Sequence, residues 1–170
     1  IVRSPGLDPA CAVREVQGWA ADAGVPVQPL YPGDQLRWGE VRAVVLWPDR
    51  VIYEGSVPNN ASVVLSVDIA GLRVLMPGDV ETVAAHQVLL ALRRDPAYQA
   101  ARGYDVLKVP HHGSRLQDPV MLAEVRAPVA LISVGVGKMY GRATPATRHF
   151  HRAHWLAAFR SDLPRVHAIV

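Results

Sequence analysis

The chain has 170 residues, of which 50% are hydrophobic and 19% charged, with a formal net charge of +3. Such a length and composition suit one domain with a buried core and exclude a disordered tail. The longest apolar runs, such as Ala43 to Trp47 and Val129 to Val136, are too short to span a bilayer.

No basic start followed by an apolar stretch and a cleavage site is present, so no signal peptide is read. The opening Ile1-Val2-Arg3-Ser4-Pro5-Gly6 lacks an initiator Met and reads as an internal strand running into a turn. A fragment of a larger protein is the expectation. Asp8-Pro9 then opens a helix, with Val13, Val16 and Ala20 at helical spacing to about Ala23, where Gly24 ends it. Cys11 lies in that helix; as the single cysteine it can form no internal disulfide and shares no metal site with a second one.

Val25 to Leu30 reads as a short strand closed by the Tyr31-Pro32-Gly33-Asp34 turn, and Val41 to Trp47 as a strand stopped at Pro48. Pro48 to Asn60 reads as an excursion loop. Ser62 to Asp68 and Leu72 to Met76 form a hairpin through Ala70-Gly71. A helix is expected over Val80 to Arg94, a strand over Asp105 to Val109, and a helix over Pro119 to Arg126. Val129 to Val134 has the continuous apolar character of a strand buried on both faces. A helix from Pro145 to Phe159 and a strand from Arg165 to Val170 complete a layered α/β fold, one domain throughout.

Two loops that follow strands carry the chemistry. Met76-Pro77-Gly78-Asp79 turns at Gly78 and leaves a carboxylate beyond the sheet end. Val109-Pro110-His111-His112-Gly113-Ser114 holds two imidazoles between a stiff Pro and the permissive Gly113. Ligands of layered α/β folds collect outside the carboxyl ends of strands, so both loops are expected at one point. Imidazole nitrogen with carboxylate oxygen suits Zn, Mn or Fe, and a metal pair would serve phosphodiester hydrolysis. Ser114 and Tyr140 could add supporting hydrogen bonds.

Plainer roles stand beside these. Asp79 precedes the helix expected at Val80 and could be its N-cap; the His pair could be solvated. His86 reads as structural, and His149, His151 and His154 match no tetrahedral ligand spacing. Trp19, Trp38, Trp47 and Trp155 read as core or surface cover. Arg dominates over Lys, since only Lys108 and Lys138 are Lys. That suits phosphate contacts and follows equally from a GC-rich genome. A charge of +3 permits DNA binding without arguing for it.

The motifs taken together resemble those of ComEC-family competence proteins. The resemblance runs through Pro58-Asn59-Asn60-Ala61-Ser62-Val63-Val64-Leu65, Val74-Leu75-Met76-Pro77-Gly78-Asp79-Val80-Glu81 and Asp105-Val106-Leu107-Lys108-Val109-Pro110-His111-His112-Gly113-Ser114. It continues through Pro128 to Gly135 and Tyr140-Gly141. It implies a metallo-β-lactamase-like αββα sandwich, truncated here at its N-terminal part, attached to a multi-pass membrane channel domain. The implied activity is metal-dependent cleavage of the DNA strand that does not enter the cell during natural transformation. The implied cofactor is a divalent metal, Zn or Mn, with two ions in the intact domain. By position Asp79 would be the bridging carboxylate and one of His111 and His112 the last His ligand. Asn60, Ser62, Gly78, Gly113, Ser114 and Tyr140 would line the site, with Arg115 a candidate nucleic-acid contact. Implied partners are single-stranded or duplex DNA, the channel domain and other competence proteins. The domain would sit on the extracytoplasmic side of the cell membrane.

The chain departs from that pattern twice. The family's upstream H-x-H-x-D-H segment, the source of most ligands, is absent from the sequence, so the 170 residues alone are expected to be inactive and association-prone. Where the family reads Tyr-Gly-His-Pro, this chain has Tyr140-Gly141-Arg142-Ala143-Thr144-Pro145, from divergence or a compensated frameshift. The alternatives are a catalytically degenerate docking domain of the same transporter, or a hydrolase of another phosphodiester.

Overall fold

The computed structural model describes residues 1–5, 10–101, 103–135 and 157–161. Strand β1 (Val2–Arg3) leads to helix α1 (Ala10–Asp22) and returns in parallel pairing as β2 (Gln28–Pro29), a two-stranded sheet of its own. The expected strand Val25–Leu30 shrinks to these two residues, because Pro26 and Pro29 bring no amide donor to a ladder.

The main sheet has seven strands in sequence order: β3 (Gln35–Trp38), β4 (Val41–Trp47), β5 (Val64–Ile69), β6 (Leu72–Met76), β7 (Val106–Lys108), β8 (Val129–Ile132) and β9 (Ala157–Arg160). The first four run antiparallel and the last four parallel. Ala70 and Gly71 both take positive φ, 49° and 82°, as a two-residue hairpin turn requires. The loop before β5 ends in a short helix, α2 (Val57–Asn60), with Ser56 as its N-cap. Parallel pairing needs crossovers. Helices α3 (Thr82–Arg94) and α4 (Pro96–Ala101) span β6 to β7, and α5 (Pro119–Val125) spans β7 to β8. Asp118 caps α5 by accepting from the amides of Val120 and Met121.

Register explains the core. Leu75, Leu107, Ala130 and Ala158 fall in one row across the parallel strands, all fully buried. Ala84, Ala85, Val88, Leu89 and Leu92 repeat at helical spacing on α3 and join Met121, Leu122 and Val125 of α5 over that row. The opposite face carries Ile69, Leu72, Met76 and Leu131, all exposed.

The layered α/β expectation stands, with a central sheet and helices; several details change. Leu131 is 41% exposed, so β8 is buried on one face and not both. Residues 157–159, expected to end a helix, lie in β9, where Ala158 completes the buried row. Strand β3 and helix α4 are not among the expected elements: Gln-Leu-Arg-Trp is an edge strand, and α4 opens on Pro96, which reads as a break. Asp79 is not an N-cap, since α3 starts at Thr82 with Glu81 in the capping position. Asp8-Pro9, Tyr140, Arg142, His149, His151, His154, Trp155 and the Arg165–Val170 strand lie outside the described residues.

Candidate metal centre

The loops after β6 and β7 meet because those strands are parallel neighbours. Gly78 sits at φ +62°, where a Cβ would lie 2.6 Å from the Ser62 Cβ. The turn therefore presses against the approach to β5, and the Ser62 hydroxyl accepts from the Asp79 amide at 3.0 Å. The backbone amide of His111 donates to Gly78 O at 3.1 Å, joining the two loops directly. His111 and His112 both adopt left-handed backbone, φ 42° and 54°, strain that a non-glycine residue accepts only when its surroundings enforce it. Gly113 follows, buried and also at positive φ.

This geometry aims the imidazoles differently. His112 Nδ1 donates to the carbonyl of Ser133, just beyond β8, at 2.7 Å. Its Nε2 then faces Asp79 Oδ2 at 3.4 Å. The other oxygen of Asp79 receives the Lys108 ammonium at 3.2 Å, which also donates to Gly78 O at 2.8 Å. His111 turns the other way, with Nδ1 3.7 Å from Glu81 Oε1. Asp79 and His112 are thus brought together, and His111 stands beside them facing a second carboxylate.

A carbonyl only accepts, so the proton of neutral His112 is on Nδ1 and a lone pair remains on Nε2. That lone pair faces a carboxylate oxygen, and the contact is satisfied by a proton on Nε2 or by a metal ion between the two atoms. Two ligand atoms about 2.0–2.2 Å from a tetrahedral zinc lie about 3.4 Å apart. The observed spacing matches this. The donor chemistry fits a divalent cation, but the number does not complete one. Among the described residues no three His, Cys, Asp or Glu side chains gather as a metal-binding group.

The other residues read from the sequence hold the loops. Asn60 is buried: its side chain accepts from the Glu81 amide at 3.0 Å and donates to Glu54 O at 2.9 Å. The Ser114 hydroxyl accepts from the Leu116 amide at 3.2 Å, and Arg115 is exposed. Lys108, Glu81 and Ser133 were missed as site residues. A lone charge in the apolar run Val106-Leu107-Lys108-Val109 was the available signal for the first.

No family model matches the chain. It is 26% identical over 144 residues to the ComE operon protein 3 of Bacillus subtilis, a match covering 84% of this chain. The resemblance to the ComEC family is borne out. The ComEC-like chain spans 17% of that relative's length. Its fold is also similar to the crystal structure of a Thermotoga maritima protein described as a Zn-dependent hydrolase of the metallo-β-lactamase superfamily. That likeness has 15% identity and a TM-score of 0.43 over 76% of this chain and 61% of the other. Among the described residues of the ComEC-like chain, no helix is long and apolar enough to cross a membrane.

Proposed function

We propose that the chain belongs to a metal-dependent phosphodiesterase domain that degrades the non-entering DNA strand during natural transformation. The observation that carries this is the 3.4 Å approach of His112 Nε2 to Asp79 Oδ2, with His112 Nδ1 already committed to Ser133. A bound divalent cation, Zn or Mn, would supply Lewis-acid activation of water. Asp79 and His112 hold their side of such an ion. Lys108 steadies the Gly78 turn, Ser62 fixes the Asp79 amide, and Arg115 offers an exposed cation to the DNA backbone. Remaining ligands come from residues preceding those described, as the H-x-H-x-D-H segment of the family implies. The channel domain of the same polypeptide, in the cell membrane, and other competence proteins are the proposed partners, with this domain on the extracytoplasmic side.

The test uses the polypeptide extended upstream through that segment. Metal content and cleavage of single- and double-stranded DNA are measured for the wild type, Asp79→Ala and His112→Ala. Metal-dependent cleavage lost in both variants is the expected outcome; cleavage that persists in both sinks the assignment. A second reading, a non-catalytic docking domain, is favoured by the Lys108 ammonium on Asp79 Oδ1, which already balances the charge of the carboxylate without a metal. Under that reading the extended protein binds DNA or the channel and cleaves nothing.

A further inference from the structure

Glu81 stands at the N-cap position of α3 yet makes no side-chain capping bond. Its carboxylate folds away from its own helix. Oε2 accepts from the Ser56 amide and Oε1 from the Asn59 side chain, each at 3.0 Å. Gly55 makes room for it, since a Cβ there would lie 2.7 Å from Glu81 Oε2. The residue is 7% exposed. A carboxylate removed from water must be matched by donors, and the two above leave capacity on Oε1. The group facing that oxygen is His111 Nδ1, 3.7 Å away, buried and without a hydrogen-bond partner. The left-handed backbone at His111 is what brings the ring there.

We propose that Glu81 is a positioning residue for His111: its carboxylate holds the imidazole with the proton on Nδ1, leaving the Nε2 lone pair as the ring's acceptor. A metal-ligating imidazole needs this arrangement, in which the far nitrogen donates to a carboxylate and so fixes tautomer and orientation. The same carboxylate binds Ser56 and Asn59, so the 54–60 loop, the start of α3 and the histidine loop are registered through one group. The metal-facing part of this inference rests on the reading of the histidine loop as part of a metal centre. The tautomer does not.

The variants Glu81→Gln and Asn59→Ala separate positioning from packing. A carboxamide has one acceptor oxygen, and the Ser56 amide is an obligate donor that claims it. The NH2 group then faces Asn59, whose amide can flip, and His111, whose Nδ1 must become an acceptor. Asn59→Ala removes one donor and leaves the carboxylate before His111. Long-range 1H–15N spectra of the 15N-labelled chain, recorded above the ordinary imidazole range of about 6.5, read the tautomer directly. The expected result is Nδ1–H at His111 in the wild type and in Asn59→Ala, and Nε2–H in Glu81→Gln. A wild-type ring protonated on Nε2 overturns the inference whether or not the variants fold. An unchanged spectrum in a folded Glu81→Gln does so too.

Zn2+ titration of the same substitutions in the polypeptide extended upstream, where the remaining ligands are supplied, adds a second readout. Glu81→Gln should weaken binding about 10- to 100-fold and Asn59→Ala less than about twofold. The expected tautomers with no Zn2+ binding defeat the metal reading and leave the positioning role in place. Zn2+ binding with the wrong tautomer does the reverse.

Discussion

His112 Nε2 lies 3.4 Å from Asp79 Oδ2 while the opposite nitrogen of the ring donates to Ser133 O at 2.7 Å. Two acceptors held face to face repel unless a proton or a metal ion lies between them. An ion held there with a dissociation constant of about 1 mM would add roughly 1.4 kcal/mol of stability at about 10 mM Mn2+. Thermal melts check this. Equal stabilisation in Asp79→Ala and His112→Ala would place the ion elsewhere.

Gly78→Ala should destabilise the chain by about 2–3 kcal/mol. The new methyl would meet the Ser62 Cβ at 2.6 Å in a backbone at φ +62°. Adding Ser62→Gly relieves the collision and leaves the backbone strain, so the double variant should recover part of the loss in urea unfolding. No recovery would mean that the contact with Ser62 is not what limits the turn.

Alkaline pH should act through Tyr104. Burial pushes its phenol up to about 12, with Ser66 and Arg73 pulling it back down. The unfolded chain releases this proton near pH 10, whereas the native phenol keeps it until about 12. Stability is therefore intact below about pH 10 and falls as pH rises through that window, by on the order of 2 kcal/mol. Tyr104→Phe should flatten that part of the curve in urea unfolding across the range. A slope unchanged by the variant would assign the loss to other groups.

Ile69, Leu72, Met76 and Leu131 share the sheet face turned away from α3 and α5, and all are exposed. Apolar surface of this kind drives self-association. Sedimentation of the 170-residue chain should show mass rising with concentration, and Leu72→Lys with Leu131→Lys should restore a monomer. A wild-type monomer at millimolar concentration contradicts this.

The convergence of the two candidate loops was legible in the sequence where chemistry and turn geometry coincide. Gly78, Asp79 and the His111-His112-Gly113 run each follow a strand, and parallel neighbours bring such loops together. What could not be read was which imidazole turns toward Asp79, because left-handed backbone at two consecutive histidines has no local signature. Nor was Glu81 legible, since its partners Ser56 and Asn59 lie more than 20 residues away. In the fold, β4 and β6 occupy the ranges expected of them, Val41–Trp47 and Leu72–Met76. By contrast, β9 was hidden, because its pairing with β8 rather than any periodicity of its own makes Ala157–Arg160 a strand.

The twin positive-φ histidines also bear on how this sequence can drift. Each costs about 1–2 kcal/mol relative to glycine in the same backbone, so replacement by Gly or Asn at either position is the downhill direction for stability. A lineage that stopped using the two imidazoles would relax there early, long before its core decayed. If the two imidazoles bind and orient nothing, glycine at both positions should raise stability at no cost to activity.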